Sequence, residues 1–162
     1  MQPAQRYLVL LRHAKSAWPH GVPDLRRPLA ARGRRDAVAV GCWLHDHVPR
    51  LDAVVCSPAV RARQTWTFVA AELDDPPPAR YDERVYGATA TQLLALVRNL
   101  AGGVGTALLV GHNPDLQEFA ALLTGQEVEM KTSSVAVVAW PGRWTDADTE
   151  TAVLRHHATP RG

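Results

Sequence analysis

The chain has 162 residues, of which 46% are hydrophobic and 21% charged, proportions that suit a globular fold and exclude disordered and fibrous classes. A formal net charge of +2 lacks the basic excess that nucleic-acid binding uses, so no nucleic-acid partner is expected. Two cysteines without CxxC spacing exclude a disulfide scaffold, and Cys42 and Cys56 read as small buried side chains.

No apolar run approaches the roughly 18 residues of a membrane span, and the opening Met-Gln-Pro-Ala-Gln-Arg carries neither a basic leader segment nor a cleavage-like site. A soluble, cytoplasmic protein without a membrane partner is expected. The length suits a single domain over residues 1–162.

Residues 7–11 form a continuous apolar run of strand length, the mark of a strand covered on both faces. Between 29 and 45, Ala37, Val40, Gly41 and Leu44 recur at helical spacing toward Val48, and Pro49 stops the helix. Arg26, Arg27, Arg32, Arg34 and Arg35 crowd this region and read as a solvated face, with an anion-attracting rim as the alternative. Residues 53–56 give a second strand. Ser57-Pro58, a capping hydroxyl before a first-turn proline, opens a helix to about Leu73.

After Asp74, Asp75 and three prolines, residues 79–81 read as a third strand and 91–100 as a helix. Residues 106–110 form a fourth buried strand, and Gly111-His112-Asn113-Pro114 leads into a helix ending near Leu123. Residues 134–140 and 151–154 read as an antiparallel hairpin turning at Pro141-Gly142. The alternation predicts a doubly wound, mostly parallel α/β sheet with helices on both faces and an antiparallel edge hairpin.

Ligands of such sheets bind beyond the carboxyl ends of the strands. Three loops meet there: Arg12-His13, residues 57–61 ending in Arg61, and Gly111-His112. They bring two histidines, two arginines and two helix starts together, a setting for an anion and above all for a phosphoryl group. A neutral imidazole attacks phosphorus through its free lone pair, and neighbouring cations keep it neutral.

Leu11-Arg12-His13-Ala14-Lys15-Ser16 resembles the signature of the histidine phosphatase superfamily, of phosphoglycerate-mutase-like fold, and most its small SixA-type phosphohistidine phosphatase branch. Residues 24–33 (DLRRPLAARG), 57–65 (SPAVRARQT), 82–87 (DERVYG) and 110–114 (VGHNP) extend the likeness in the family's order. The resemblance implies that His13 is the phosphorylated nucleophile, that Arg12, Arg61 and His112 bind phosphate, and that Glu83 is the candidate proton donor. It implies a metal-independent phosphatase without a cofactor. Its partner would be a phosphorylated protein, phosphohistidine first, or a small phosphomonoester.

The departures from the pattern are specific. Ala14 stands where glycine usually follows the histidine, Pro19 replaces an asparagine common in mutases, and Asn113 replaces the aspartate that donates a proton in acid-phosphatase members. A mutase and a phosphate-recognition module without turnover are the competing readings. Pure recognition has no need of a positioned histidine.

Other residues read as structural. Ser57 lacks a Gly-x-Ser-x-Gly elbow and reads as a cap. His45 with His47, and His156 with His157, lack zinc spacing and read as surface residues. The five tryptophans read as core or hairpin packing, with Trp18 near enough to the His13 loop to touch a substrate.

Overall fold

Successive apolar residues on a strand need cover on both faces, and the central strands obtain it. The computed structural model describes residues 5–162; residues 1–4, part of the stretch read for a leader, lie outside them. Strands β1 (Gln5–Arg12), β2 (Ala53–Cys56), β3 (Ala79–Tyr81), β4 (Thr106–Gly111), β5 (Val135–Pro141) and β6 (Val153–Ala158) form one six-stranded sheet in the order β3-β2-β4-β1-β5-β6. The first four are parallel. β5 runs antiparallel to β1, and β6 antiparallel to β5.

Helices α1 (Ala31–His47) and α2 (Val60–Ala70) cover one face, and α3 (Ala90–Arg98) and α4 (Asp115–Thr124) the other. The strand period of two divides the side chains between them. Leu8, Leu10 and Leu109 pack with Leu93, Leu96, Leu116 and Phe119, while Val9, Leu11 and Leu108 pack with Val40, Leu44, Trp66 and Val69. No described helix is long and apolar enough to cross a membrane.

Two expectations need correction here. The connection after β5 is not a tight turn at Pro141-Gly142: it dips into the core through a 3-10 turn (Trp144–Asp146) before β6 begins at Val153. Trp144 is buried, packs edge-on against Trp140 and donates its indole N–H to Val104 O at 2.7 Å, which draws the chain inward. Cys42 is exposed, because it falls on the outer side of α1 next to inward-facing Gly41; only Cys56 is buried.

The strand order itself builds the site. β4 lies between β1 and β2, with Arg12 opposite Gly111 and Cys56 opposite Val110, so three chains leave the sheet side by side. The next residues stay tied to it: His13 N donates to Gly111 O and Ser57 N to Val110 O, each at 3.0 Å.

Candidate active site

The loop after β1 is held from several sides. Ala14 N donates to Thr65 Oγ1 at 3.0 Å, and that hydroxyl donates to Arg61 O at 2.7 Å, joining the loop to the first turns of α2. Ala30 N donates to Lys15 O at 2.9 Å, and Gly33 in the first turn of α1 passes so close to the Lys15 backbone that a Cβ there would collide with it. The methyl group of Ala14 is accommodated. It is buried against Leu29 and Ala37.

Within this frame the His13 ring is 6% exposed. Its Nδ1–H donates to Ala14 O at 2.8 Å, which leaves the lone pair on Nε2. Arg61 Nε, its hydrogen directed at that nitrogen, lies 3.4 Å away. Burial first, and then the nearby His112, Arg61 and Arg12, bring the His13 pKa down to about 3 against the pull of the Ala14 carbonyl. The ring is neutral at physiological pH and its nucleophilic nitrogen is free of a proton.

Arg61 reaches this position from α2 and is locked there by Asp24. Nη1 donates to Asp24 O at 2.7 Å and Nη2 to Asp24 Oδ2 at 3.0 Å. Tyr86 O–H donates to the same carboxylate at 2.6 Å, and Arg27 Nη1 to Oδ1 at 3.0 Å. The tyrosine hydrogen bond first, then Arg27 and Arg61, hold the Asp24 carboxyl far below the usual carboxylate range, so it stays ionised. Asp24 in turn raises the Tyr86 phenol.

Arg27 is the exception among the crowded arginines read as a solvated face. It is 7% exposed, donates to Ala17 O and Ser16 Oγ, and stacks under the Trp18 ring at 3.2 Å from its centroid. Trp18 itself is 75% exposed.

The third wall comes from β4 and β1. His112 lies 5.1 Å from His13 between ring centroids, with Tyr86 edge-on against its other side at 5.5 Å. Burial first, then Arg61 and Arg12, bring its pKa down to about 4. His112 Nε2 is 2.7 Å from Ser57 Oγ. Ser57 Oγ also accepts from Ala59 N at 3.2 Å; where the hydroxyl donates to His112 Nε2, the ring hydrogen sits on Nδ1. His112 Nδ1 and Arg12 Nε are both buried without a hydrogen-bond partner among the described residues.

The sequence-predicted residues His13, Arg61 and His112 stand in one cluster linked by these contacts, and Arg12 adds charge to both histidines. Ser57 is not the helix cap it was read to be: α2 begins at Val60, and the hydroxyl orients His112 instead. Glu83 lies on a 3-10 turn (Glu83–Val85), is exposed, and makes no hydrogen bond to the cluster; the same turn leads to Tyr86, which does. Asp24 and Tyr86 were not singled out, although the blocks 24–33 and 82–87 contain them, and Arg27 was named only as part of the arginine run. No three His, Cys, Asp or Glu side chains gather as a metal site among the described residues.

The chain is similar to known proteins in sequence and in fold. The model of the histidine phosphatase superfamily (branch 1) matches residues 8–89. An uncharacterised protein of Mycobacterium tuberculosis is 38% identical over 162 residues, covering 93% of this chain and 100% of its own length. A proposed phosphohistidine phosphatase SixA from Nakamurella multipartitia superposes with a TM-score of 0.87 at 30% identity over 99% of both chains. One from Agrobacterium tumefaciens gives 0.80 at 27% identity, over 96% of this chain and 99% of that one. The chain belongs to the histidine phosphatase superfamily, in its SixA-like branch.

Proposed function

We propose that the protein is a phosphatase for phosphorylated protein side chains, phosphohistidine first, and that it works through a phosphohistidine at residue 13 without a metal. The observation that carries this reading is the unprotonated Nε2 of a buried, neutral His13 facing the Arg61 guanidinium. Arg12, Arg61 and His112 Nδ1 hold the phosphoryl oxygens and stabilise the charge of an in-line transfer. His13 Nε2 forms a bond to phosphorus while the bond to the leaving group breaks and takes its electron pair with it. Water then attacks phosphorus and releases a proton to solvent, the bond to Nε2 breaks with its electron pair returning to that nitrogen, and inorganic phosphate leaves.

The leaving group decides the preference. A phosphoimidazole protonated on its second nitrogen departs as neutral imidazole and needs no acid from the protein, whereas an alkoxide needs a proton. Asp24 cannot donate one, being held ionised. Exposed Glu83 is the proposed donor for ester substrates, a secondary role.

Wild type and His13→Ala are to be incubated, with and without chelator, with phosphohistidine protein, phosphoserine and phosphotyrosine peptides, sugar phosphates and nucleotides. Release of phosphate from phosphohistidine protein by wild type alone, unaffected by chelator, is the expected result. Fastest turnover of a sugar phosphate would replace the protein substrate with a small phosphomonoester. Phosphopeptide binding without release by either protein would make this a recognition module.

A further inference from the structure

Asn113 stands beside His112, and its amide has two backbone partners of fixed polarity. Oδ1 accepts from Gln117 N at 3.2 Å and Nδ2 donates to Met130 O at 2.6 Å, so the two ends of the amide are assigned without ambiguity. Met130 O also accepts from Arg12 Nη1 at 3.1 Å. Gln117 Oε1 closes the network by accepting from Met130 N at 2.9 Å and from Asn113 Nδ2 at 3.4 Å. One buried peptide carbonyl thus carries both the arginine and the amide, and both ends of Met130 are fixed from the start of α4.

We propose that Asn113, assisted by Gln117, is a positioning residue that orients Arg12 toward the phosphoryl group through the Met130 carbonyl. An ionised aspartate at 113 sets a negative oxygen against Met130 O, displacing that carbonyl and with it Arg12; a protonated one donates as the amide does. The amide is therefore required at neutral pH, which gives a reason for its presence where a proton-donating aspartate would otherwise stand. The inference rests on the proposed phosphate role of Arg12 and is independent of the substrate class.

Calorimetric binding of inorganic phosphate tests it without relying on turnover. At about pH 8, Asn113→Asp is expected to bind roughly tenfold more weakly than wild type, the worth of one hydrogen bond to a charged group, and the ratio should return toward one as the pH falls through the range in which the new carboxyl takes up its proton. Asn113→Ala should stay weak at every pH.

Other charged groups in this neighbourhood are Arg12 and His112 beside the pocket, Asp115 and Glu118 of α4, and Glu129 and Lys131 flanking Met130, with His157 of β6 bonded to Glu129 O. Division by wild type removes the titration of phosphate and of every group whose pKa the substitution leaves unchanged. In an Arg12→Ala background, Asn113→Asp should add no further loss.

A ratio independent of pH, or losses that simply add, would overturn the clamp. Should Asn113→Asp not fold, Gln117→Leu must weaken phosphate binding severalfold and only when Arg12 is present; no change there overturns it equally. Wild type that binds no phosphate would contradict the pocket itself, a different failure from a flat ratio.

Discussion

Histidines in two regions of this molecule respond to protons in opposite senses. Beyond the carboxyl ends of β1 and β4, His13 and His112 are buried beside Arg12 and Arg61, and their pKa values fall to about 3 and about 4. On the last turn of α1, exposed His45 lies 2.8 Å from Asp74, and that hydrogen bond followed by one to Asp46 raises its pKa. The same side chain is made a permanent lone-pair donor in one place and an ordinary surface base in the other. Burial among cations, not the residue type, makes the first region chemically competent.

Removing a cation from the buried region should have the largest effect. Arg61→Ala deletes a proposed phosphate donor and removes one of the three side chains that hold the Asp24 carboxylate, leaving Tyr86 and Arg27. Phosphatase turnover is expected to fall by about 10²–10³, the loss seen when one preorganised donor to a transition state is removed. A loss under about tenfold in kcat would place Arg61 outside the reacting centre.

Acid stability separates the two histidine regions. His112 has a folded pKa near 4 against an ordinary value of 6.5, so the unfolded chain binds more protons between these limits and stability drains away as pH falls from 6.5 toward 4. His112→Gln should remove that part of the penalty, roughly 3 kcal/mol, and make the acid limb of a denaturant-midpoint profile shallower, the remaining slope coming from His13. His45 works the other way: its contribution is present below its unfolded pKa and is lost as pH rises through the raised folded value. His45→Gln should leave the acid limb as steep as in wild type. Equal acid limbs for all three proteins would contradict the assignment of buried neutral rings.

Trp18 sharpens the comparison at the mouth of the buried site. Its ring is seated on Arg27 and otherwise exposed, on the segment that follows His13. Trp18→Ala is expected to lower kcat/KM for a phosphohistidine protein about five- to tenfold, typical of losing one aromatic anchor, and to spare a small phosphoramidate. Parallel loss for both would assign the tryptophan to the fold of the loop. Glu83→Gln is the mildest change: phosphohistidine turnover should stay near wild type while alkyl phosphates slow, and equal slowing of both would remove Glu83 from the acid role.

Much of the fold was legible because its strands are buried on both faces. Runs such as 106–110 leave no doubt about burial, and the intervening helical spacing fixes the crossover pattern. The hairpin was only half legible, since nothing local announces that Trp144 dips into the core. In the site, His13 and His112 were readable because each directly follows a strand, Arg12 because it ends one, and Arg61 because it lies in the helix that a strand end leads into. Arg27 was not: it sits next to exposed Arg26 in a run of similar residues, and only contacts with Trp18, Ser16 and Asp24 distinguish it. Asp24 and Tyr86 meet across 62 positions of sequence, a pairing no spacing rule reaches. Ser57 was read as a helix cap and was illegible as the partner of His112, for the same reason.

The most direct measurement is chemical. A single turnover of radiolabelled phosphohistidine protein, quenched in alkali within milliseconds and mapped by mass spectrometry, should show an acid-labile phosphoryl group on His13 that disappears as inorganic phosphate forms. Label on no residue, or on His112 with His13 unmodified, would contradict attack by the buried neutral ring.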